Sequence, residues 1–78
     1  MIRRTMRLVI TFRTTAEAMA MERVCREQQA DGRLIPVPRS ISAGCGLAWC
    51  AAPQSEEALM QLMREHGVAC EAVYSCLV

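Results

Sequence analysis

The chain alternates short apolar runs with two stretches of helical period. Leu8, Ile10 and Phe12 alternate with Arg7, Val9 and Thr11, the period-two signature of a half-buried strand over residues 7–12. Thr14 followed three residues later by Glu17 is a capping box. The helix it opens, predicted to run from about Thr15 to Gln29, puts Ala18, Met21 and Cys25 on one face, with Val24 beside them. Asp31-Gly32 is expected to stop it. Leu34, Ile35 and Val37 give a second strand over 33–37, placed at a sheet edge because Pro36 lacks an N–H. A third strand is predicted over 45–51, small on one side (Gly46, Ala48, Cys50) and large on the other (Leu47, Trp49). Pro53 ends it. Ser55-Glu56-Glu57 caps a second helix whose apolar side is Leu59, Leu62, Met63 and His66, and Gly67 closes it. The last strand spans 71–77, with Val73 and Leu77 facing one way.

That order, βαββαβ, predicts an α+β ferredoxin-like plait. It has a four-stranded antiparallel sheet in the order 4-1-3-2, with two helices on one face. The other face is expected to be uncovered and to suit a homodimer or a partner. At 78 residues, without linkers or repeats, the chain reads as a single domain over 1–78, with 1–6 flexible.

Composition narrows the function. No apolar run reaches the roughly 18 residues of a membrane span, and the run 8–12 is too short for a signal-peptide core, so a cytoplasmic protein is expected. All nine basic residues are arginine, the net charge is +1, and there are three aromatic residues. Neither a basic stripe nor a stacking platform for nucleic acid is present. No cofactor loop or metal-ligand motif is found, so no cofactor and no metal are expected.

Five cysteines remain: Cys25, Cys45, Cys50, Cys70 and Cys76, at spacings of 20, 5, 20 and 6. None forms a C-x-x-C pair, and the number is odd, so free thiols are expected. Cys45 stands apart because Gly44 and Gly46 flank it in the run Ser42-Ala43-Gly44-Cys45-Gly46. Glycines on both sides are expected to leave the sulfur accessible, through close approach or a positive φ at Gly44 and a bulge at Gly46. In a plait the start of strand 3 lies beside the end of strand 1, which leads into the first helix. Cys45 is therefore expected near Arg13, Thr14 and Thr15, at the positive end of that helix, with Arg39 and Cys70 at the same edge. Cys45 and Cys70 should be separated by about 10 Å at the backbone, two inter-strand spacings, beyond disulfide reach. Cys25 reads as core. Trp49 is an interface anchor or a core residue, and His66 is a helix cap.

The stretch Leu8-Val9-Ile10-Thr11-Phe12, the run Gly32-Arg33-Leu34-Ile35-Pro36-Val37-Pro38-Arg39 and the run Ser42 to Trp49 resemble a family of very small bacterial proteins. That family is described as selenium/sulfur carrier-like and is formally a domain of unknown function. The resemblance implies carriage of sulfur or selenium, with Cys45 as the acceptor thiol. Gly44 and Gly46 would expose that thiol, and Thr14, Thr15, Arg13, Arg39 and Cys70 are candidate support. The expected partners are a protein donor such as a cysteine desulfurase and an acceptor protein. The chain would thus be a carrier rather than a self-sufficient enzyme. The alternatives are a regulatory or protein-interaction module of the same fold, and a thiol-based metal or redox binder using Cys45 with Cys70.

Overall fold

The computed structural model describes residues 5–41 and 45–77. Its elements are β1 (Met6–Thr11), α1 (Thr15–Glu27), β2 (Arg33–Pro36), β3 (Leu47–Ala51), a 3-10 turn (Pro53–Ser55), α2 (Glu56–His66) and β4 (Ala72–Leu77). The four strands form one sheet in the order β2-β3-β1-β4, which is 4-1-3-2 counted from the other edge. All three pairings are antiparallel, with Ile10 opposite both Trp49 and Val73, and Trp49 opposite Leu34.

The register sorts the side chains. Leu8, Ile10, Phe12, Trp49 and Ala51 join Ala18, Met21 and Cys25 of α1 and Leu59 and Met63 of α2 in one buried cluster. Both helices therefore cover the same face of the sheet, and each fully buried Leu, Ile or Phe adds about 1.5–3 kcal/mol. Trp49 is a core residue, not an interface anchor.

The uncovered face departs from expectation. Val9, Thr11 and Ala48 are each 0% exposed and Cys50 is 7% exposed, although the helices pack on the other side. Short side chains occupy the centre, and the register sets a longer one beside them: Tyr74 opposite Val9, Ile35 opposite Ala48, Arg33 opposite Cys50. The central strip is screened, so the bare apolar face anticipated for a homodimer is much reduced. Among the large apolar side chains of that face, the exposed one is Tyr74 on β4, at 38%.

Element ends shift for local reasons. The Thr14 hydroxyl accepts the Glu17 N–H at 3.2 Å, and the Glu17 carboxylate reaches back to the Arg13 N–H at 3.1 Å, so the capping box forms. α1 stops at Glu27, before Asp31-Gly32, because Gln29 adopts a left-handed φ of 55° and the Ala30 N–H bonds the Cys25 carbonyl at 2.8 Å. Ser55 makes no side-chain cap to α2; its hydroxyl donates instead to Asp31. His66 is exposed rather than on the buried side of α2, and Gly67, at φ 68°, ends that helix as anticipated.

Asp31 is the polar latch that sequence reasoning missed. Its carboxylate accepts from the Ala52 N–H and the Ser55 hydroxyl, both at 2.9 Å, and its carbonyl accepts from the Trp49 indole at 3.0 Å. One loop residue thereby ties the β2 side of the sheet to the 3-10 turn before α2. The Ala52 amide, then the Ser55 hydroxyl, with help from the Arg7 charge, hold its pKa below the ordinary carboxylate value. A depressed folded-state pKa contributes stability that is present above the unfolded value, about 3.9, and is lost as pH falls through the folded value. Asp31→Ala is expected to cost about 1 kcal/mol at pH 7 in urea unfolding, because the carboxylate is exposed. The gap between wild type and variant should shrink once the carboxylate is protonated at low pH. A gap that stays constant down to about pH 2, below the usual carboxylate range, would contradict the latch.

Candidate functional site

Cys45 precedes β3 rather than lying in it, because the ladder begins at Leu47. The Val37 N–H bonds the Gly46 carbonyl at 3.0 Å, which ties this segment to the end of β2. Gly46 is exposed, has φ 79°, and has nothing within 4 Å of where a Cβ would sit. Its role is therefore conformational: the left-handed φ lets residues 45–47 close on themselves, and no close backbone approach is involved. Within that turn the Leu47 N–H donates to the Cys45 Sγ at 3.4 Å, and the thiol donates to the Leu47 carbonyl at 3.4 Å. Loss of the thiol proton removes the second bond and leaves the first.

The sulfur is not wholly unshielded. Cys45 is half-buried and packs against the core cluster on one side. Gly44, the other flanking glycine, lies outside the described residues. Among the described residues the Cys45 sulfur accepts from the Leu47 N–H and donates to the Leu47 carbonyl, and it makes no hydrogen bond with α1. The first turn of α1 satisfies part of its own amides through Thr14 and Glu17.

Cys70 is the thiol coupled to that helix end. The Glu71 N–H bonds the Thr11 carbonyl at 2.7 Å, which brings residue 70 to the end of β1 where Arg13 and Thr14 follow. Burial, then the Glu17 charge, push its pKa up, and the Arg13 charge pulls the other way. Cys45 and Cys70 thus lie at one end of the sheet, on the β2–β3 side and the β1–β4 side respectively. Both are half-buried against the same core. Arg13, Thr14 and Thr15 are exposed at this end; Thr14 is the cap and Thr15 opens α1. Arg39 is exposed in the turn closed by the Ile41 N–H on the Pro38 carbonyl at 2.9 Å.

All five thiols are free. Cys25 is buried in the core and its pKa is pushed up to about 11 by burial. Among the described residues no three His, Cys, Asp or Glu side chains gather to hold a metal ion. No described helix is long and apolar enough to cross a membrane. Under native conditions at neutral pH, iodoacetamide is expected to modify Cys45 first. Cys70 should follow more slowly, and Cys25 should react only on unfolding, because the thiolate is the reacting form. Peptide mapping over time checks the order, and a Cys25 that reacts as fast as Cys45 contradicts it.

The arrangement defines a small α+β protein that holds a half-exposed thiol in a glycine-containing turn at one end of its sheet. The chain belongs to the family described as "Putative Se/S carrier protein-like", which matches residues 7–75. No curated protein matches it, and no solved structure matches it.

Proposed function

We propose that this chain is a sulfur or selenium carrier whose acceptor is Cys45. The observation that carries the reading is the turn of residues 45–47. Among the five cysteines, Cys45 has a backbone N–H and a backbone carbonyl on its sulfur, beside an exposed glycine with open space around it. Family membership supports the carrier role.

The step follows ordinary thiol exchange. The Cys45 thiolate attacks the terminal sulfur of a persulfide on a donor protein such as a cysteine desulfurase. The donor's S–S bond breaks, its cysteine leaves as a thiolate, and Cys45 holds the persulfide. No net oxidation occurs, and delivery to an acceptor protein is the same exchange in reverse. Selenium follows an equivalent path. The Leu47 N–H remains available to the charged sulfur throughout. Arg13 and Arg39, exposed at this end, suit contact with acidic groups on donor or acceptor, Thr14 and Thr15 keep α1 in place there, and Gly46 shapes the turn. Cys70 keeps its proton more firmly, which leaves Cys45 as the acceptor at this end.

The fold reads as a ferredoxin-like plait forming one unit over the chain, working in the cytoplasm. That fold hosts many unrelated functions, so the thiol carries the argument. Incubation with a cysteine desulfurase and cysteine, followed by intact mass spectrometry, tests it. The expected result is a gain of one sulfur atom that peptide mapping places on Cys45. A mass that never changes, or an addition on another cysteine, would overturn it.

A further inference from the structure

The helix-free face of the sheet carries charge of one sign. Glu17, Glu22 and Glu27 lie on α1, and Glu56, Glu57 and Glu65 on α2. By register and alternation, the helix-free face carries Arg7, Val9 and Thr11 from β1, Ala48 and Cys50 from β3, Arg33 and Ile35 from β2, and Ala72, Tyr74 and Cys76 from β4, with no acid. Arg33 is directly opposite Cys50, and Arg7 is two residues from Val9, which is opposite Cys50 on the other side. Both arginines are exposed, and neither forms an ion pair among the described residues. They line one hollow of about 330 Å³ with Cys50, Gly32, Ala51 and Asp31.

Two guanidiniums line one hollow, and the Asp31 carboxylate on its rim, which feels the Arg7 charge, offsets part of their repulsion. Each presents a planar fork suited to two oxygens of one tetrahedral group. Asp31 sits on the rim, but its Oδ2 is already held by the Ala52 N–H and the Ser55 hydroxyl.

We propose that Arg7 and Arg33, over the floor made by Cys50, form a binding site for a small divalent oxyanion of the phosphate, sulfate or thiosulfate type. The site is separate from Cys45, on the opposite face of the sheet from the core that Cys45 packs against. An anion carried into the complex, or a phosphate group of a small molecule, has the chemistry it recognises. A small hollow lined by two guanidiniums favours a compact ion over an extended acidic peptide.

The test is an amide NMR titration of the full chain with sodium phosphate, and separately with sodium thiosulfate, against sodium chloride at matched ionic strength. Saturable shifts are expected at Gly32, Arg33, Cys50 and Ala51, with a dissociation constant on the order of 1 mM. Arg7→Gln and Arg33→Gln are each expected to weaken binding about tenfold, one lost charge-assisted contact. Both positions are exposed, so circular dichroism should show the fold unchanged. Arg64→Gln and Cys45→Ser should bind as the wild type does. Shifts that fail to saturate, that match those in chloride, or that persist in both arginine variants would overturn the site. So would an oligo-glutamate peptide that binds tenfold tighter than phosphate with shifts spread along β4, which would assign the face to an acidic protein.

Discussion

Cys45→Ser is expected to end sulfur loading altogether while leaving the fold intact. Serine is nearly isosteric, and its hydroxyl can keep both hydrogen bonds to Leu47, so the turn of residues 45–47 should persist. What disappears is the thiolate, the species that attacks a persulfide. The effect is all or none in the mass spectrum because no group nearby can take over the same bond. Cys70 is the nearest rival in placement, yet burial and the Glu17 charge keep it protonated more strongly than an ordinary cysteine. Cys70→Ser should therefore load at close to the wild-type extent. A Cys45→Ser protein that still gains sulfur, mapped to Cys70, would move the acceptor to the end of β1 and reverse the two roles. Thermal unfolding of the serine variant within a degree or two of wild type, on the scale of a surface change, would show that the loss is chemical.

Gly32→Ala is expected to be the most damaging single methyl in the protein. Gly32 has φ 115°, and a Cβ built there would lie 2.3 Å from the Trp49 Nε1 and 2.7 Å from the Cys50 carbonyl oxygen. Two costs combine. The left-handed backbone strains any L side chain, and the clash pushes on a buried indole held by the Asp31 carbonyl. Together they are expected to remove about 3 kcal/mol or more, which lowers the melting temperature by roughly 15 °C in a domain of this size. The tryptophan reports the mechanism directly, because displaced from the core it meets water and its emission shifts to the red. Gly67→Ala is the control. Gly67 has φ 68° but nothing within 4 Å of its Cβ position, so it carries the strain without the clash and should cost about 1–2 kcal/mol. Equal losses at the two positions would show that Trp49 yields freely and that packing at Gly32 is loose.

The same two glycines show where the sequence was readable. Gly67 follows an amphipathic helix, and a stop signal depends only on its immediate neighbours, so its left-handed φ was foreseeable. Gly32 also follows a helix and was read the same way. Its actual partner, Trp49, comes 17 residues later and meets it only because β2 pairs with β3. Gln29 took the left-handed position instead, which local propensity disfavours and the Cys25–Ala30 bond stabilises. Asp31 was hidden for a similar reason: its acceptors serve residues 52 and 55, and no spacing rule links them.

By itself the sequence determined the six main elements, the capping box at Thr14, the antiparallel sheet and the alternation of Leu8, Ile10 and Phe12 against Arg7, Val9 and Thr11. All of these depend on periodicity and on contacts a few residues apart. It also singled out Cys45 by its neighbours. Tertiary structure alone decided how much of that sulfur meets solvent, that Cys70 feels the charges of Glu17 and Arg13, and that Arg7 and Arg33 line one hollow with Cys50. Those outcomes depend on strand register, and register is a property of pairs of segments that no single segment encodes.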